Sequence, residues 1–338
     1  MNKQALETIA NAMVADGKGI LAADESTGTI KKRFDSINVN STGDSRRDYR
    51  EMLFRTTEAM QNHISGVILY DETLRQKAAD GTPLAQLIAD TGSIIGIKVD
   101  AGAKDLAGHP GEMVTEGLDG LRDRLDEYHG LGARFAKWRA VLNITDNNPS
   151  TACLTANTHA LARYAALCQE AEIVPIVEPE VIMDGGHSVE RCYEVTSAAL
   201  TSLYQQLAEQ NVHLEGTILK PNMIVSGTEN AVQADVSQVA EMTIDCFKKV
   251  VPEAVPGIVF LSGGQSDIHA TAHLDAMNKI GGLPWKLSFS YGRALQAAPL
   301  KAWGGEAGNV PAAQAAFAHL AKMNGLAASG QWDASLEG

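Results

Sequence analysis

Glu215-Gly216-Thr217-Ile218-Leu219-Lys220-Pro221-Asn222 is a short apolar run that stops on a lysine. A lysine in that position is costly unless something pairs or uses it. Gly216–Pro221 is not alone. Gly19–Asp24, Gly66–Asp71, Ile94–Asp100, Ala133–Arg139, Val174–Glu180, Gly257–Gly263 and Leu287–Gly292 share the design. All are nearly continuous in apolar residues rather than alternating, the mark of strands buried on both faces in parallel sheets. Stretches with helical spacing lie between them, among them Thr115–His129, Asn157–Glu170, Ser188–Gln210 and Val236–Val250.

Strand and helix alternate along the chain, and no Pro/Gly/Ser-rich linker or low-complexity tract divides it. The expected fold is therefore α/β: a single-domain (β/α)8 TIM barrel over residues 1–338, with an N-terminal helix and a C-terminal helical extension. A doubly wound open sheet is the alternative. Its dinucleotide form opens with G-x-G-x-x-G after the first strand. Here the first run leads into Asp24-Glu25-Ser26-Thr27-Gly28-Thr29. Barrels place their active sites at the C-terminal ends of the strands, where the charged residues of these runs fall.

Composition narrows the setting. The chain has 338 residues, 45% hydrophobic, with a formal net charge of −13. Such an acidic balance speaks against a nucleic-acid footprint. Cys153, Cys168, Cys192 and Cys246 form no C-x-x-C pair and read as reduced core thiols of a cytoplasmic protein. Met1–Asp16 is polar and helix-like, without the apolar region of a secretory signal. No run approaches the ~20 apolar residues of a membrane span.

Side chains two apart on a strand face the same way. Lys98 with Asp100, Lys137 with Arg139, and Glu178 with Glu180 are such pairs, while Asp24 and Lys220 end other runs. Pro179 between the glutamates interrupts a ladder and suits a strand end. Gathering this many charges at strand ends is a poor way to stabilise a fold. An amine nucleophile needs its neutral form, and a free lysine has a pKa of ~10.4. Desolvation and a nearby cation lower that value. Lys137 is placed to supply the cation, and Glu178 to shuttle protons at a carbinolamine.

Leu261-Ser262-Gly263-Gly264-Gln265-Ser266 and Phe289-Ser290-Tyr291-Gly292-Arg293-Ala294 follow the seventh and eighth runs. Barrels bind phosphate at these loops through backbone N–H groups and a helix N-terminus. Ser26, Thr29, Lys32 and Arg33 in the first loop offer a grip for a second anion. His269 and His273 have a zinc-compatible spacing but lack the H-E-x-x-H glutamate, so no metal site is expected. Trp138, Trp285, Trp303 and Trp332 read as packing residues.

Several segments carry a family resemblance. Gly17-Lys18-Gly19-Ile20-Leu21-Ala22-Ala23-Asp24-Glu25-Ser26, Gly96-Ile97-Lys98-Val99-Asp100, Phe135-Ala136-Lys137-Trp138-Arg139, Ile176-Val177-Glu178-Pro179-Glu180 and Leu219-Lys220-Pro221-Asn222 resemble class I fructose-1,6-bisphosphate aldolase, as do the two phosphate-loop segments. The match runs in order through almost the whole chain. The resemblance implies metal-free, cofactor-free, reversible cleavage of fructose 1,6-bisphosphate to dihydroxyacetone phosphate and glyceraldehyde 3-phosphate, in glycolysis and gluconeogenesis. It implies that Lys220 forms the Schiff base and that Glu178 is the acid/base. Asp24 acts on the C4 hydroxyl, Lys137 stabilises the carbinolamine, and Glu180 is the charge partner of Lys137. Lys98 and Arg139 contact substrate. Ser262, Gly263, Ser290, Gly292 and Arg293 hold the C1 phosphate; Ser26, Thr29 and Lys98 hold the C6 phosphate. Partners are then sugar phosphates and further copies of the chain, as a homotetramer, with no nucleic acid and no membrane.

Animal members end in a tail whose terminal tyrosine protonates the enamine. This sequence ends Ser335-Leu336-Glu337-Gly338, so Glu178 or a water is the expected donor. Rival readings are a Schiff-base aldolase for another phosphorylated sugar, such as sedoheptulose 1,7-bisphosphate, a metal-dependent aldolase and a non-catalytic barrel scaffold. None of the strand runs contains the histidine that a metal-dependent aldolase needs.

Overall fold

The computed structural model describes residues 1–337; Gly338, the last residue of the terminal stretch quoted above, lies outside them. A closed parallel barrel forms in chain order from β1 (Gly19–Ala23), β2 (Ile64–Leu69), β3 (Ile94–Lys98), β4 (Phe135–Leu142), β5 (Val174–Val181), β6 (Ile218–Leu219), β7 (Gly257–Phe260) and β8 (Lys286–Tyr291). Helices surround it, so the fold is the expected (β/α)8 TIM barrel. The buried apolar runs follow from this covering: β1, β2, β5 and β7 have no exposed residue.

The N-terminal helix, Lys3–Met13, starts at Asn2, whose side chain accepts from Ala5 N. Leu6, Ala10 and Met13 share one face and pack with Ile20, Ile68, Phe135, Val174, Ile176, Ile218 and Val259. This cluster fills the barrel at its N-terminal end. Burying a leucine or methionine there contributes roughly 1.5–3 kcal/mol each. The larger core lies between the strands and the outer helices and takes in all four tryptophans and all four cysteines. The C-terminal extension is the helix Val310–Ala327, which packs on Arg293–Trp303. Among the described residues no helix is long and apolar enough to cross a membrane.

Strand boundaries differ from expectation in an instructive way. Pro179 does not end its strand, because β5 pairs with β4 from Phe135↔Val174 to Leu142↔Val181. Pairing of β5 with β6 stops at Val177↔Leu219. On the β6 side Val181 N donates to Asn222 Oδ1 at 3.2 Å. Pro179, two residues earlier, shares that side, where β6 has already stopped and no N–H is needed. The helix expected over Thr115–His129 is in fact Leu121–Gly130. Before it, Met113–Thr115 pairs antiparallel with Ala103–Asp105 as a hairpin over the rim. Gly117 (φ +128°) and Gly120 (φ +65°) break the helical path.

Candidate active site

The strand ends place the charged side chains in tiers. Asp24 stands one residue past β1, Lys98 closes β3, Lys137 and Arg139 lie in β4, Glu178 and Glu180 in β5, and Lys220 directly follows β6. Backbone register puts Lys98 beside Lys137 and Arg139 beside Glu178. All of them line one cleft of about 580 Å³, together with Ser26, Thr29, Ser262, Gly263, Ser290, Gly292 and Arg293. The residues named here are therefore in one place.

Glu178 is the centre of the arrangement. Its Oε1 lies 3.1 Å from Lys220 Nζ and its Oε2 3.4 Å from Lys137 Nζ. Lys137 Nζ also lies 2.7 Å from Asp24 Oδ2. Lys137, Glu178 and Lys220 are each buried. Burial alone would raise the Asp24 pKa. The charges of Lys137, Lys220 and Lys98 and the hydrogen bond from Lys137 outweigh it and bring Asp24 down to about 2. For Lys137 burial acts to lower the pKa, but Asp24, Glu178 and Asp100 hold it well above the usual lysine range. Asp24 is thus a carboxylate and Lys137 an ammonium at neutral pH.

Three buried oxygens of cleft-lining residues lack a hydrogen-bond partner, Glu25 Oε2, Glu178 Oε2 and Ser290 Oγ. Buried polar groups are rarely left so, and all three belong to residues that line the site. The anion grips are built from turn chemistry. Gln265 N donates to Ser262 O at 3.0 Å, closing a turn through Gly263 and Gly264. A Cβ on Gly264, whose φ is +74°, would meet Met183 Sδ at 2.5 Å. Gly292 precedes the helix Arg293–Trp303, whose free N–H groups begin at the cleft. Across the cleft, Ser26 caps the helix Thr27–Asp35, and its Oγ lies 3.1 Å from Thr29 Oγ1.

Two expectations need correction. Glu180 is not the partner of Lys137. It is bonded to Arg139, while Lys137 is taken by Asp24 and Glu178. Lys137 lies one tier deeper than Arg139, and the tier below Glu180 is that of Glu178. Lys32 does not join Ser26 and Thr29, whereas Arg33 lines the same cleft as they do. Lys32 is exposed, and Arg33 bonds Glu25 and lies against Gly292. On the helix Arg33 falls one turn after Thr29, on the face toward the cleft, and Lys32 falls off that face.

The sequence reading paired Asp100 with Lys98 but gave it no role, and it missed Glu25. Asp100 lines the cleft and holds Lys98 Nζ at 2.8 Å. Glu25 is buried and bonded to Arg33 and Gln296. No pattern in the sequence marks it, because Gln296 lies far along the chain. His273 Nδ1 lies 2.6 Å from Gln265 Oε1. Among the described residues no group of three or more His, Cys, Asp or Glu is placed to hold a metal ion. A second cleft, of about 450 Å³, opens near the N-terminal ends of the strands around Trp285; its one lysine–carboxylate pair, Lys286 with Asp16 at 2.6 Å, is exposed.

Comparison with known proteins identifies the family. The family model for class-I fructose-bisphosphate aldolase matches residues 5–338. A probable fructose-bisphosphate aldolase class 1 from Xanthomonas campestris pv. campestris is 60% identical over 333 residues, covering 98% of this chain and 99% of the relative. The fructose-bisphosphate aldolase of Dictyostelium discoideum is 50% identical, over 96% of this chain and 91% of that protein. A solved structure of fructose-bisphosphate aldolase from Plasmodium falciparum, in complex with TRAP and a small-molecule inhibitor, superposes with a TM-score of 0.96. It is 45% identical, covering 98% of this chain and 95% of that one. The chain belongs to the class I fructose-bisphosphate aldolase family.

Proposed function

We propose a residue-level route for the reaction this family carries out, the reversible cleavage of fructose 1,6-bisphosphate through a lysine Schiff base. Lys220 Nζ attacks the C2 carbonyl. Glu178, bonded to it at 3.1 Å, delivers the proton that lets the carbinolamine lose water. Lys137, held as an ammonium, stabilises the carbinolamine oxygen. The iminium is the electron sink. Asp24 accepts the C4 hydroxyl proton, the C3–C4 bond breaks, and glyceraldehyde 3-phosphate leaves. Glu178 or a water then protonates the enamine at C3, and hydrolysis releases dihydroxyacetone phosphate. Ser262, Gly263, Ser290, Gly292 and Arg293 hold the C1 phosphate, and Ser26, Thr29 and Lys98 the C6 phosphate. Arg139 contacts the sugar chain, and Glu180 holds Arg139 in place.

One observation carries this reading: a buried lysine shares a carboxylate with a second buried lysine, in the one cleft that both anion grips line. The family resemblance further supports a cytoplasmic homotetramer built from one domain per chain. Light scattering at micromolar concentration tests the tetramer; a monomer would refute it. Lys220→Ala tests the route itself. It abolishes cleavage while circular dichroism and unfolding stay those of the parent. Full activity in that variant would sink the assignment.

A further inference from the structure

Asp24 lies beyond the end of β1, where the backbone ladder is incomplete. β1 pairs with β8 only at Ile20↔Ser290 and Leu21↔Tyr291. The β8 chain then turns away through Gly292, where a Cβ would lie 3.5 Å from Ala22 O. Ala22 O has lost its strand partner on that side. Gln296, in the first turns of the helix Arg293–Trp303, replaces it: Gln296 Nε2 donates to Ala22 O at 2.6 Å. The same nitrogen donates to Glu25 Oε1 at 2.9 Å. Gln296 is 1% exposed. Its Oε1 accepts from Tyr49 O–H at 3.2 Å. Burial holds the Tyr49 pKa well above the usual range, so the hydroxyl remains a donor. The amide has one workable orientation, because reversing it would set Oε1 against two acceptors.

We propose that Gln296 is a positioning residue for Asp24. It grips the chain two residues before Asp24 and one residue after it, at Ala22 O and the Glu25 carboxylate. Three lysines pull on Asp24 from inside the barrel, as its lowered pKa records. A loosened loop would let the carboxylate settle as a plain counter-ion, away from the C4 oxygen. Gln296 shares a rigid helix with Arg293, so one body sets both the phosphate grip and the base. The inference rests on the reading of Asp24 as the group that takes the C4 proton.

Gln296→Met keeps the volume and removes the amide. The cleavage kcat for fructose 1,6-bisphosphate falls by about 10- to 100-fold, the cost of misplacing a catalytic group by roughly 1 Å. Borohydride trapping of dihydroxyacetone phosphate on Lys220, which has no C4 hydroxyl to deprotonate, keeps its parent rate. In an Asp24→Asn background the Gln296 change has no further effect on cleavage, because both act through one group. Unchanged cleavage in Gln296→Met overturns the proposal. So does a parallel loss of cleavage and trapping, which would mark a general structural role. If Gln296→Met does not fold, Tyr49→Phe, which frees the amide to turn, must give the same split in smaller degree, and its absence counts against the proposal. Failure of the parent protein to trap would instead strike the Schiff-base reading.

Discussion

Asp24, Lys137, Glu178 and Lys220 form a chain of alternating charge, and its members are separable by experiment. The Asp24 pKa is lowered on folding, so its carboxylate adds stability above the unfolded value. That stability is lost as pH falls from 3.8 to about 2. Urea unfolding across this window is therefore steeper in pH for the parent than for Asp24→Asn; equal slopes would contradict the placement. Glu178→Gln slows proton exchange at C3 of dihydroxyacetone phosphate if Glu178 protonates the enamine, and exchange at full rate would assign that step to a water. Arg293→Ala raises KM for the bisphosphate by ~1.5–3 kcal/mol, the range for hydrogen bonds to charged groups; an unchanged KM would remove Arg293 from the phosphate grip. The residue types of this site were legible because charge at the end of an apolar run is rare. Their pairing was not. Arg139 and Lys137 are two residues apart and face the same way, and only their depth in the barrel decides that Glu180 goes to Arg139.

Elements place these residues through small side chains as much as large ones. Phe135 fills the barrel centre only because Gly66 and Gly96 face it; a Cβ on Gly96 would sit 2.2 Å from its ring. Gly96→Ala is then overpacked and costs ~1–3 kcal/mol in urea or thermal unfolding. Adding Phe135→Leu recovers part of the loss, and no loss in Gly96→Ala would show that the ring has room. Strands and the helix Val236–Val250 were readable from apolar spacing. The rim hairpin of Ala103–Asp105 with Met113–Thr115 was not, since its short strands bury few residues. Pro179 misled because its meaning depends on the neighbour: opposite a strand it breaks a ladder, but beside the end of β6 it costs nothing.

Across the molecule, the N-terminal helix closes one end of the barrel and the charged cleft opens the other. β6 is the thinnest strand, touching β7 through the single pair Leu219↔Ile258. Pro221 ends its ladder and leaves Lys220 at the mouth of the core. The fold was legible because strand and helix alternate without interruption. The network of Glu25, Arg33, Tyr49 and Gln296 was not, because its members meet only when the last helices return to β1. Covalent capture tests the central claim most directly: borohydride reduction with dihydroxyacetone phosphate, in the presence of a chelator, followed by peptide mass mapping. The account predicts one adduct, on Lys220, formed as fast with chelator as without. A folded protein that yields no adduct, or capture at another lysine, would contradict it.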